Sequence, residues 1–297
     1  MKVVVFGGSG FLGSHVAEAL TQAGHAVTLF DLRSPVHPVP GQSFIQGDIL
    51  DTAQVRRALE GQEVAYHFAG AADLDDVQDK AVETAKSNVL GTATLLEEAR
   101  KAGLKRLVYA STIYVAGHSG GFYRASKQAC ELYVEEAQRR FRLDYTILRY
   151  GSIYGRRADR NNGVQGFLTQ ALKIRKIVVN GTGDETREYV HVTDVAEASV
   201  RILEPEFRNE CVVLTGHQAM RVRDLMEMIR EIVGPDVTVE YRPVDAGRQA
   251  QGKTTHYNVT PYSFRPKIAK KLVGNHYVDM GQGLIDCLEE LHAALNR

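Results

Sequence analysis

Tyr123 and Lys127 set the chemistry this chain could do. They stand four apart in the run Tyr123-Arg124-Ala125-Ser126-Lys127. On a helix that spacing puts a phenol and an ammonium on one face, within reach of a common ligand. A free tyrosine ionises near pH ~10 and is a poor base. A nearby positive charge favours the phenolate, which makes Tyr123 a candidate general base. Thr112, at the end of an apolar run, offers a hydroxyl that could share or relay the proton. The chain has 13 tyrosines, so the same spacing also arises by chance on an exposed helix. The elements that carry the pair decide between the two readings.

Those elements start at the N-terminus. Residues 3–6 form an apolar run bounded by glycine, the pattern of a buried parallel strand. Gly7, Gly10 and Gly13 follow at three-residue spacing, and residues 11–20 then have helical period. Strand, glycine turn, helix is the context of a dinucleotide-binding loop. Gly7 permits the tight turn, Gly10 the close approach of a pyrophosphate, and Gly13 close packing of helix on strand. Phe11 and Leu12 open the helix, whose free N–H groups and partial positive charge suit phosphates. A second strand, residues 27–30, ends at Asp31, about 20 residues past the loop, where a carboxylate can bind a ribose hydroxyl. Its charge repels a 2′-phosphate and so favours NAD over NADP. Leu32 and Arg33 come next. Arg33 reads as an exposed loop residue, with phosphate binding as its alternative.

The remaining strands, 43–46, 64–68, 104–110 and 145–148, alternate with helices at 52–59, about 75–100 and 122–141. Asp51 can cap the first of these helices. The alternation implies right-handed crossovers and a doubly wound parallel α/β sheet of Rossmann type. Ligands of such sheets lie beyond the carboxyl ends of the strands, so Gly7, Asp31, Asp48, Ala69 and Ser111 should line one crevice. The rhythm changes after Arg149. Residues 151–166 read as loop, 167–176 as helix, 181–184 as a turn, 188–191 as strand and 194–203 as helix. Then come a strand at 211–214, a helix at 222–233, a strand at 237–241, a stretch without period at 243–266 and a helix at 280–295. Residues 1–150 are expected to form the cofactor domain. Residues 151–297 are expected to be mainly a smaller substrate-binding lobe, with about 187–215 returning to the main sheet.

Composition excludes several other classes. The 36 basic and 36 acidic residues balance, which argues against nucleic acid or an anionic membrane as partner. Cys130, Cys211 and Cys287 have neither metal nor disulfide spacing, so no metal and a reducing, cytoplasmic compartment are expected. No apolar run is long enough to span a bilayer, and a strand starting almost at Met1 leaves no room for a signal peptide.

Together these motifs resemble the extended short-chain dehydrogenase/reductases. The resemblance is carried by Gly7-Gly8-Ser9-Gly10-Phe11-Leu12-Gly13, His67-Phe68-Ala69-Gly70, Asn88-Val89-Leu90-Gly91-Thr92, Ser111-Thr112 and Tyr123-x-x-x-Lys127. The runs from Leu148 to Gly155 and from Gly181 to Ala196 are similar to the nucleotide-sugar epimerase/dehydratase branch of that family. The resemblance implies roles. Asp31 would hold the adenosine ribose, and Asp48 with Ile49 the adenine. Phe68, Ala69, Gly70, Asn88, Ser111, Tyr150 and Ile153 would line the NAD pocket. Lys127 would bond the nicotinamide ribose and, with the positive nicotinamide ring, lower the pKa of Tyr123. Arg187 would bind the diphosphate of a nucleotide sugar, with Ser152 and the weaker candidate Arg242 nearby.

Dehydratases of the family carry an Asp-Glu pair just after the threonine, where this chain has Ile113 and Tyr114. Decarboxylating members also carry an acid at the second position. Dehydration and decarboxylation are therefore disfavoured. The minimal set Thr112, Tyr123 and Lys127 resembles that of the UDP-glucose 4-epimerases. A 4-keto-sugar reductase and a non-catalytic NAD-binding protein are the alternatives. The chain departs from the pattern in a short 114–123 segment, in Ala72 and Asp73 where 4-epimerases often carry a substrate-contacting lysine, and in Ser152 for a frequent asparagine. The family often dimerises through the helices near 84–100 and 122–141. Here Ala93, Leu96, Ala129 and Leu132 suit either a homodimer or an internal core.

Overall fold

The computed structural model describes residues 1–72, 80–242 and 269–295. Six strands of the first half are β1 (Lys2–Phe6), β2 (Ala26–Asp31), β3 (Ser43–Gln46), β4 (Val64–His67), β5 (Arg106–Thr112) and β6 (Asp144–Tyr150). Their helices are α1 (Phe11–Gln22), α2 (Thr52–Leu59), α3 (Ala81–Thr84), a π-helical turn (Ala85–Leu90), α4 (Gly91–Ala102) and α5 (Gly121–Phe141). In the second half lie β7 (Ser152–Tyr154), α6 (Gly163–Ile174), β8 (Lys176–Asn180), β9 (Thr186–Arg187), β10 (Tyr189–His191), α7 (Val192–Arg201), β11 (Glu210–Leu214), β12 (Met220–Arg221), α8 (Val222–Val233), β13 (Thr238–Arg242), β14 (Lys270–Lys271) and α9 (Met280–Leu295).

Eight strands form one sheet in the order β14-β11-β6-β5-β4-β1-β2-β3, and every pairing in it is parallel. The pleat sends alternate side chains to opposite faces. In β1, Val4 and Phe6 join the core under α2, α4 and α5, with Leu59, Leu95 and Val134. Val3 and Val5 join the core under α1 and α7, with Val16, Leu20 and Val195. Both faces are covered, so the central strands are apolar along their whole length, and all seven residues of β5 are buried.

A third core unites α6, α8 and α9 with the parallel pair β8–β13 around Leu168, Ile177, Met226 and Leu284. The chain enters and leaves this region through short pairs, β7 with β10 and β9 with β12. Between β8 and α8 of this region the chain sends β11 back to the main sheet, in register with β6 at Val212↔Leu148.

Three features differ from the expectations above. The helix expected over about 75–100 is interrupted by the π-helical turn, and its first residues lie outside the described ones. The stretch 151–166 holds β7 and the start of α6. β8 is not among the expected elements: the expected helix ends at residue 176 and none is expected over 177–180, because the apolar core of the strand is three residues long and its partner β13 is remote in sequence. Asp73 and residues 243–266 lie outside the described residues.

Candidate active site

From β1 the chain steps outward through β2 to β3, then returns to place β4 on the other side of β1. Such a switch point opens a crevice at the carboxyl ends of the two central strands. Gly7 lies there at φ +80°, and a Cβ on it would sit 2.6 Å from Ala69 N. The N–H groups of Phe68 and Ala69 both bond Phe6 O, at 2.8 and 3.0 Å. A Cβ on Gly13 would collide with the carbonyl oxygen of Gly7, so α1 sits as close to the turn as glycine allows. No side chain caps α1, which leaves the first-turn N–H groups at Phe11 and Leu12 to a ligand.

Asp31 closes the other side of the turn. Its carboxylate accepts Ser9 N at 3.0 Å and Arg33 N at 3.1 Å. Ser9 Oγ is buried beside it without a hydrogen-bond partner among the described residues, a donor suited to a phosphate oxygen. Leu32 and Arg33 are exposed. Asp48 accepts Leu50 N at 2.9 Å, and Ile49 packs over Gly91 at the end of the π-helical turn. Gly70 follows at φ +143°.

The amide of Asn88 is already engaged. It is 2% exposed, accepts Ala71 N at 2.8 Å, and donates to Ala71 O at 3.0 Å and Ser126 Oγ at 2.9 Å. It ties the loop after β4 to α5, and the π-helical turn supplies the register that aims it there.

Thr112 ends β5 and caps the one-turn helix Ile113–Ala116. Tyr123 lies in the first turn of α5 and is hydrogen-bonded to Thr112. Lys127, one turn further on, donates to Ala110 O at 2.8 Å. Its Nζ stands 5.0 Å from the Tyr109 ring centroid and 5.9 Å from that of Tyr123. Tyr123 and Lys127 are both buried. Thr112, Tyr123 and Lys127 thus converge at the carboxyl end of β5, beside the glycine turn's crevice.

The protein groups do not acidify the phenol as the i, i+4 spacing suggested. Burial pushes Tyr123 up to about 12, against the lowering effect of the Thr112 hydrogen bond. Burial also lowers Lys127. The ammonium spends its short hydrogen bond on the Ala110 carbonyl, and loss of hydration dominates at the phenol.

Two expected crevice side chains are turned into the core. Ser111 Oγ, buried, donates to Glu131 Oε1 at 2.6 Å. Tyr150 Oη pairs with Ser199 Oγ at 2.9 Å, where burial raises its pKa. Ile153 packs against the same core and is in register with Val190. Ser152 stands next to it, opposite Tyr189. Arg187 is buried on β9 and donates to Thr186 O at 2.8 Å. Arg242 is exposed, with Nε 2.6 Å from Glu240. Sequence reasoning missed Glu131 and Arg149, a buried ion pair with Nη2–Oε2 2.7 Å. The signal was available: an arginine inside an apolar strand requires an acidic partner, and Glu131 follows Lys127 by one helical turn.

Among the described residues no group of His, Cys, Asp or Glu is placed to hold a metal ion. No described helix is long and apolar enough to cross a membrane.

A doubly wound sheet, a glycine turn closed by an acidic residue and a buried Thr–Tyr–Lys set define a dinucleotide-dependent enzyme. More narrowly, the chain belongs to the NAD dependent epimerase/dehydratase family, whose model matches residues 3–213. NAD is its cofactor, and the cradle of Gly7, Ser9, Gly10 and Asp31 fits it. The UDP-glucose 4-epimerase of Corynebacterium glutamicum is 27% identical over 84% of this chain and 86% of its own length. The dTDP-D-glucose 4,6-dehydratase of Mus musculus is 27% identical over 77% and 73%. Among solved structures, the UDP-glucose 4-epimerase of Thermotoga maritima with UDP-glucose superposes with a TM-score of 0.81 at 25% identity, covering 99% of this chain and 100% of that one.

Proposed function

We propose that this protein is a nucleotide-sugar epimerase acting at C4 through a 4-keto intermediate. The observation that carries the reading is the convergence of Thr112, Tyr123 and Lys127 where Ile113 and Tyr114 replace an acid pair. Ile113 is buried and carries no proton, so elimination of water has no acid at that position.

Residues 1–150 hold the cofactor, which when bound accepts and returns the C4 hydride. Tyr123, raised by burial, is favoured as the phenolate by the positive nicotinamide ring of bound NAD, and its Oη takes the C4 hydroxyl proton and gives it back after the sugar has turned over. Thr112 holds that oxygen and shares the proton. Lys127 bonds the nicotinamide ribose and keeps a positive charge beside the phenol. Residues 151–297 mainly form the substrate lobe. Arg187 takes the diphosphate, because a guanidinium fork matches phosphate oxygens, and Ser152 and Arg242 extend that site. A buried arginine at Arg187 supports this reading, as do the nucleotide sugars named for the relatives. The protein acts as a cytoplasmic homodimer. Val82, Leu90, Leu132 and Tyr133, exposed on the helices between 81 and 141, support a helix-to-helix contact. Leu96 belongs to the internal core instead.

The test is incubation with a panel of UDP-, GDP-, CDP- and dTDP-sugars, read by NMR at C4. A C4 epimer without net cofactor change is expected. Stoichiometric oxidation of reduced cofactor would make the protein a reductase and overturn the proposal.

A further inference from the structure

The Tyr123–Lys127 pair rides on a helix that packs on the sheet through Cys130, Val134 and Ala137 and is also tied to it by a buried ion pair. Arg149 on β6 lies among buried neighbours and is itself 2% exposed. Its Nε and Nη2 meet the two oxygens of Glu131 at 3.0 and 2.7 Å, a bidentate fork. Ser111, the residue before Thr112, donates to the same carboxylate at 2.6 Å. Glu131 therefore joins α5 to β5 next to Thr112 and to β6, and it stands four residues from Lys127 on the same helix. Such a buried pair is weak evidence for stability, since desolvation offsets its attraction.

We propose that Glu131, gripped by Arg149 and Ser111, is a positioning residue for the reaction: it fixes the helix that carries Tyr123 and Lys127. The proposal rests on the reading of Tyr123 and Lys127 as the reacting pair. The Tyr109 ring on β5 and the Tyr123 ring on α5 lie against Lys127 Nζ, and His67 on β4 and Cys130 and Glu131 on α5 interact with it electrostatically. Burial disfavours the charged form of Lys127, and Cys130 and then Glu131 favour it. Without Glu131 the ammonium loses that support at the point where Tyr123 needs a cation beside it.

The test separates this role from fold maintenance. Glu131→Gln alone leaves Arg149 buried and uncompensated and is expected to lower the melting temperature. The double variant Glu131→Met/Arg149→Met removes both charges, a change that is often neutral for stability. Both are made in the full chain saturated with NAD. The Lys127 titration is followed by NMR of ¹³C-labelled lysine, with Lys127→Arg identifying the signal. The double variant is expected to keep its melting temperature, to release the Lys127 proton at lower pH than the wild type, and to lose about 10²-fold in kcat, as for a misplaced catalytic group. KM is expected to change little, and Glu131→Asp should recover part of the loss. A well-folded double variant with an unmoved Lys127 midpoint and wild-type kcat overturns the proposal. The lysine titration needs no substrate. Absence of epimerase activity in the wild type would therefore sink the functional reading and leave this test standing.

Discussion

The backbone N–H of Ser9 donates to the carboxylate of Asp31 at 3.0 Å, so the acidic side chain proposed to hold the adenosine ribose also orders the glycine turn. Asp31→Asn keeps the shape and removes the charge. NAD affinity is expected to fall at least tenfold, about 1.4 kcal/mol, and the preference for NAD over NADP to narrow. Calorimetric titration with both cofactors checks this. Unchanged discrimination would show that the carboxylate does not select the ribose.

Gly13→Ala places a methyl against the Gly7 carbonyl. α1 must then move off β1. A loss of about 1–3 kcal/mol, typical of overpacking, is expected together with loss of NAD binding. Denaturant unfolding with and without NAD reads both. A stable variant that binds NAD normally would mean that the close approach is dispensable.

Acid should weaken the fold well above the carboxylate range. Burial lowers His15 to about 4 and His67 to about 3, and it lowers His191 as well. The unfolded chain binds these protons near pH ~6.5, so it holds more protons than the native state between that value and the folded ones. Stability is complete above the unfolded value and is lost as pH falls through the window, by about 1.4 kcal/mol per pH unit for each fully shifted histidine. Asp194, raised to about 6 by burial, works in the opposite direction over part of this range, and the histidines outweigh it. Urea midpoints at pH 7.5, 6 and 5 should fall steadily. A flat profile would contradict the burial of these rings.

The exposed apolar residues Leu132 and Tyr133 of α5 make the proposed dimer testable. Leu132→Glu with Tyr133→Glu touches no internal core residue and is expected to turn a dimer into a monomer of similar melting temperature, read by light scattering. A wild-type monomer, or a dimer unaffected by both changes, removes this face from the account.

The sheet, the glycine turn and the Thr–Tyr–Lys set were legible because each is a local pattern: an apolar run, a three-residue spacing, a helical turn. What was not legible depends on distant partners. Nothing beside Ser111 or Tyr150 in the sequence says that their hydroxyls are taken by Glu131 and Ser199. The cost of burying Tyr123 is likewise set by the whole α5–β5 contact. β8 escaped because its pairing with β13 spans a lobe, and periodicity cannot resolve three apolar residues after a helix.

The central claim is that Tyr123 moves the proton at C4. The most direct measurement is C4 epimer formation by wild type and Tyr123→Phe with a sugar from the active panel, alongside NAD binding. The account predicts that the variant binds NAD as the wild type does and forms epimer at least 10³-fold more slowly, within the loss expected for a general base. Turnover within tenfold of the wild type would contradict it.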